Sequence, residues 1–146
     1  MRYLFLLVFI VFSTGAPAGP LVAGDEISSE AFVAWTAVID KVSETGANGY
    51  RVKAKLDFRG RTSEGNQIRG TGKLRFVGEP NEVFAIGDQL QGSDSLKYWA
   101  SVQRMMREDL AMIEGTGIFN LTMANSVATV EGATEFKAAL EINKGG

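Results

Sequence analysis

The sequence predicts a mainly β domain: a small antiparallel barrel of six to eight strands with one or two helices, or, as the alternative, an open antiparallel sheet packed on those helices (α+β). Three observations carry this. Residues 50–58 and 68–76 each alternate strictly between apolar and polar side chains, and turn chemistry joins them. An apolar-charged-Gly-Thr-Gly pattern occurs twice, at Ile68–Gly72 and at Ile113–Gly117. A third alternating run, Phe136, Ala138, Leu140 and Ile142, closes the chain. A period of two places one row of side chains on a buried face and the other in water.

In chain order, residues 1–18 read as a secretory signal peptide. Arg2 is a short positive start, Leu4 to Phe12 is a nine-residue apolar run, and Ala16-Pro17-Ala18 is a small-residue cleavage site. As a helix the run rises only about 14 Å, against about 30 Å of bilayer core. The expected address is therefore secreted or periplasmic, with a mature chain of residues 19–146. Residues 19–47 form an N-terminal segment, in which Phe32, Trp35 and Ile39 have helical spacing after the candidate caps Ser28 and Ser29. Residues 43–48 read as a loop, and residues 48–146 as the β domain.

The first secure element is a hairpin. Tyr50, Val52, Ala54, Leu56 and Phe58 face one way, and Arg51, Lys53, Lys55, Asp57 and Arg59 the other. Gly60 to Asn66 supplies the turn, and Ile68 to Phe76 returns with Arg69, Thr71, Lys73 and Arg75 outward. Residues 94–113 fit two periods. Leu96, Trp99, Met106, Leu110 and Ile113 follow a helix, whereas Leu96, Tyr98, Ala100 and Val102 follow a strand. Composition favours helix for 103–113, so helices are expected within 28–42 and 94–112. The Gly-Thr-Gly repeats read as strands entered through a glycine kink, a device that lets a sheet coil and close. They lack the third glycine of a dinucleotide fingerprint and the spacing of a phosphate loop.

Charge is uneven. Residues 51–75 hold eight basic and two acidic side chains, a local +6, in a chain whose net charge is −2. Both outward rows of the hairpin are cationic, and like charges directly opposite destabilise a strand pair unless an acidic partner meets them. Arg51, Lys53, Lys55, Arg69, Lys73 and Arg75 are therefore candidates for a polyanion-binding face toward an acidic glycan or an anionic surface. Nucleic acid is disfavoured, because no aromatic residue interleaves the outward rows for base stacking.

The composition narrows the chemistry. There is no cysteine and no histidine. Disulfides, thiolate nucleophiles, Cys/His zinc sites and a Ser-His-Asp triad are excluded. No calcium-loop spacing appears, and Met105, Met106, Met112 and Met123 read as core filling rather than soft-metal ligands. No cofactor or metal is expected, any general acid-base work would fall to carboxylates, Lys or Tyr, and the sequence names no catalytic residue. Asn120-Leu121-Thr122 is a glycosylation sequon, of meaning only in a eukaryotic source.

Arg107 to Phe119 (REDLAMIEGTGIF) resembles a signature of the dirigent proteins, Arg-Glu, a short apolar stretch, then Gly-Gly-Thr-Gly-x-Phe, with Glu114 in place of the first glycine. Dirigents share a fold with allene oxide cyclases. The resemblance implies an antiparallel barrel with a ligand cavity and a homo-oligomer, and carries no catalytic residue onto this chain. The leading functional expectation is an exported, non-enzymatic barrel that binds a small apolar or aromatic ligand, with Trp35, Tyr50, Phe58, Phe76, Trp99 and Phe119 as lining candidates. The alternative is an interaction module using the cationic hairpin face. A barrel isomerase of the cyclase kind is the remote third.

Overall fold

The structure, a computed structural model, describes residues 20–44, 49–78, 84–122 and 129–143, with the side chains of Thr129 and Val130 excepted. The expected signal peptide, positions 45–48 of the expected loop, and Met123 lie outside these residues. Among the described residues all regular structure is β: β1 (Glu26–Glu44), β2 (Tyr50–Thr62), β3 (Gln67–Gly78), β4 (Gln89–Arg107), β5 (Leu110–Thr122) and β6 (Thr129–Glu141). The six strands form one closed antiparallel ring in the order β1-β2-β3-β6-β5-β4. The predicted hairpin is β2–β3, and the closing run is β6. The ring closes through β1 and β4, not by the C-terminal strand returning to the first one; β6 sits between β3 and β5.

The two expected helices are corrected to strands. In 28–42, Ala31, Val33, Trp35, Ala37 and Ile39 are buried on one face of β1, whereas Phe32 is 63% exposed on the other. Small alanines inside and apolar Phe32 and Val38 outside blurred the alternation. In 94–112 the period of two holds through Val102 on β4, and Glu108-Asp109 is the turn into β5. Residues 103–107 continue β4 through two register irregularities, which break its alternation. An open sheet packed on helices is therefore not the architecture.

The ring repeats itself. β1 and β4 are both 19 residues long, and their burial patterns nearly coincide. Before β1, the Gly24 amide donates to the Val102 carbonyl and the Val102 amide to the Asp25 carbonyl. Before β4, the Gly87 amide donates to Ile39 and the Ile39 amide to Asp88 in the same way. Gly24 and Gly87 share φ +95°, and the Asp25 and Asp88 carboxylates each accept from the amide three residues upstream, both at 2.9 Å. Two three-stranded meanders, β1–β3 and β4–β6, thus face each other with the same frame.

The core sits inside the ring, and glycines shape it. Five buried aromatic side chains lie opposite glycines of adjacent strands: Trp35 faces Gly92, Phe58 faces Gly70, Tyr98 faces Gly117, Phe119 faces Gly132, and Phe136 faces Gly72 on one side and Gly115 on the other. A Cβ on Gly70 would lie 2.6 Å from the tip of the Phe58 ring. The recurrent Gly-Thr-Gly runs of β3 and β5 therefore flank β6 and make room for Phe136. Its ring meets Phe58 edge-on at 5.5 Å and Tyr98 at 5.9 Å, favourable aromatic geometries. Trp35 completes the set: its indole N–H donates to the buried Asp94 carboxylate at 2.7 Å.

Candidate functional site

The six cationic candidates share one exposed face, as the alternation of β2 and β3 requires. Register sets five of them in opposed cation pairs: Lys53 faces Arg75, Lys55 faces Lys73, and Arg69 faces Arg59, which joins the face from outside the six, whereas Arg51 faces Val77. Directly opposite residues on an antiparallel pair have Cβ atoms about 5 Å apart. Two neighbours extend the face. On β1 a register shift after Ile39 sets Lys41, not Asp40, opposite Lys53. On β6 Lys137 lies opposite Thr71. Among the described residues, Arg75 is the one member of the six that forms an ion pair, with Glu135 at 3.8 Å and both side chains about half exposed. Such a surface pair contributes roughly 1 kcal/mol or less. Lys41 was hidden from sequence reading by the helix expected there, and Lys137 by its distance along the chain.

An open groove of about 1010 Å³ crosses the strands. Thr36, Asp57, Arg59, Arg69, Thr71, Gln91, Ser93 and Lys137 line it, and all are exposed. Trp35 and Phe58 lie between them in sequence but are exposed by only 1% and 3%, so the groove runs over the outer surface. Its course follows the register: Ala139 faces Arg69, Arg69 faces Arg59, Arg59 faces Ala34, and Ala34 faces Ser93.

The aromatic candidates are placed differently. Trp35, Phe58, Phe76 and Phe119 are buried among other core side chains, and Tyr50 is half-buried at the ring's edge. Trp99 is corrected: it points outward and is 62% exposed. At one end of the ring the β2–β3 turn folds over β1. The Ser63 amide and hydroxyl both donate to the Glu30 carbonyl, and the Ser29 hydroxyl donates to the Glu64 carboxylate at 2.7 Å. Burial pushes the Tyr98 hydroxyl up to about 12; the nearby Glu64 charge adds to this, and a hydrogen bond with Ser29 opposes it. Among the described residues, no group of three or more acidic side chains is placed to hold a metal ion. Asp94, buried against Trp35, is a polar core residue that no sequence pattern marked. No family model, curated protein or solved structure matches the chain, so the dirigent resemblance rests on its thirteen residues alone.

Proposed function

We propose that the protein is an exported, non-enzymatic barrel that binds polyanions through the outer wall of β2 and β3. One observation carries this reading: three directly opposed cation pairs stand on an exposed face where Arg75–Glu135 is the sole ion pair of the six candidates among the described residues. The repulsion stored there is relieved by an external anion. The internal repeat supports the same reading. The hairpin that occupies the equivalent place in the second half, β5–β6, carries Glu114, Glu131, Glu135, Lys137 and Glu141, a net −3 where β2–β3 carries +6. The inward pattern is shared by the two halves and the outward charge is inverted, so the charge is not a requirement of the fold.

The signal-peptide layout of residues 1–18 supports an address where acidic glycans and anionic surfaces are the available partners. A small apolar ligand inside the barrel has less support, because the Phe58, Phe136 and Tyr98 rings pack edge to face in the space it would need. The test is retention on a heparin column and a cation exchanger, despite a net charge of −2. The wild type should bind at low salt and elute as screening shortens to about 8 Å near physiological ionic strength. Lys53→Glu with Lys73→Glu should lower the salt needed for elution from both columns and leave the circular dichroism unchanged, since each surface change costs about 0.5 kcal/mol or less. Wild-type protein in the flow-through at low salt overturns the reading.

A further inference from the structure

We infer that the groove crossing the strands takes a linear acidic polysaccharide, with Arg59 and Arg69 gripping an acidic group and Asp57 accepting hydroxyl hydrogens from the sugar beside it. This rests on the polyanion reading of the β2–β3 wall and names the class of polyanion.

The cation rows run along the strands, but they are interrupted. At the level of Asp57 and Thr71, which face each other, neither strand carries a cation. The interruption divides a lysine-rich part (Lys53, Lys55, Lys73 and Arg75) from the arginine pair Arg59 and Arg69. The groove runs through this break: it is lined by Asp57, Thr71, Arg59, Arg69 and Lys137, and by none of the lysine-rich part. A ligand lying in it meets two opposed guanidinium forks, one ammonium and one carboxylate. Guanidinium forks match planar carboxylates and tetrahedral oxyanions in a bidentate way that lysine does not.

Asp57 decides between polyanions. A carboxylate lining an anion-binding groove repels a ligand that offers only acceptor oxygens, such as polyphosphate. A sugar chain brings hydroxyl donors as well as anionic groups, and a carboxylate accepts several hydrogen bonds from them. Past Asp57 the groove continues onto β1 and β4, where Thr36, Gln91 and Ser93 are uncharged and hydrogen-bonding. That composition suits the ring hydroxyls of the same chain. The two tryptophans give it no exposed stacking platform in the groove: Trp35 is buried, and Trp99 is not among the lining residues. This disfavours nucleic acid as the occupant.

The experiment measures binding of polygalacturonate, dextran sulfate, polyphosphate and neutral dextran to the full-length protein and two variants. The expected result is binding of polygalacturonate and no binding of dextran. Arg59→Ala with Arg69→Ala should weaken polygalacturonate by about tenfold or more, the loss expected for charge-assisted hydrogen bonds. Asp57→Ala should act with opposite signs, weakening polygalacturonate and strengthening polyphosphate. Circular dichroism checks that each variant keeps its sheet. If Asp57→Ala strengthens both polymers, or if polyphosphate binds while neither polygalacturonate nor dextran sulfate does, the polysaccharide assignment is overturned and the cationic-wall reading stands. If none of the anions binds at low salt, both fail.

Discussion

Replacing Phe136 with alanine tests the account of the core most directly. Phe136 is 4% exposed, and its two cross-strand neighbours, Gly72 and Gly115, have no side chains. Truncating a buried Phe costs about 3–5 kcal/mol, the spread reflecting how far the surroundings collapse. Here collapse is limited. A Cβ on Gly72 would lie 2.0 Å from the Glu135 carbonyl oxygen, and one on Gly115 2.0 Å from that of Trp99, so both backbones are already in close approach. Phe58 and Tyr98 also lose their edge-on partner. The expected loss is therefore in the upper half of that range, about 4–5 kcal/mol, a large share of the roughly 5–15 kcal/mol total of a domain. Urea unfolding followed by tryptophan fluorescence measures it. With a slope near 2 kcal/mol/M, the midpoint should fall by about 2 M. A second substitution, Gly72→Ala in the Phe136→Ala background, should fail to restore the midpoint, because the added methyl meets backbone rather than the void. A loss under about 1.5 kcal/mol, or rescue by Gly72→Ala, would refute the glycine-notch account.

Other outcomes follow from the polar groups of the core and the ring's end. Trp35→Phe removes the indole donor to Asp94 and should cost about 1–3 kcal/mol, the penalty for a buried acceptor that loses a partner; Asp94→Asn, which keeps an acceptor, should cost less in the same denaturation assay. Tyr98 should resist ionisation in an ultraviolet pH titration until near pH 12, well after exposed tyrosines. Because its pKa is raised in the folded state, its contribution to stability is intact below pH 10 and is lost as pH rises toward 12; a Tyr98→Phe variant should show a shallower alkaline decline. Ser29→Ala should loosen the β2–β3 turn, read as faster amide exchange at Ser63, whose amide donates to Glu30.

The sequence disclosed the strands whose two faces differ in polarity. In β2, a charged side chain at almost every second position made the alternation unmistakable, and the same rows located the cationic face. β1 was misread because its outward row contains Phe32, Ala34 and Val38, so polarity no longer separates the faces. β4 was misread for the same reason at Trp99, and because its last residues pass through register shifts. The pairing partners of the glycines were not legible at all. Gly70 and Gly72 announce a kink, but only the β3–β6 register says that Phe136 occupies the gap. The groove was invisible for a similar reason: Arg59 and Ser93 are 34 positions apart in the chain and meet only through β1.

The repeated meanders also govern how the chain must assemble. Each half contains its own two hairpins, which form from local contacts. The seams that join the halves, β1 with β4 and β3 with β6, connect residues such as Ala31 with Leu96 and Arg69 with Ala139, far apart along the chain. Loop closure has to precede any gain from such contacts, which slows folding. Until both seams close, each meander presents two bare strand edges, a template for pairing with another molecule. Because the two halves share one frame, the first half of one molecule offers the edges that the second half of another would accept. The predicted hazard of slow folding is therefore reciprocal exchange of halves between two chains, a swapped dimer, rather than disordered clumping.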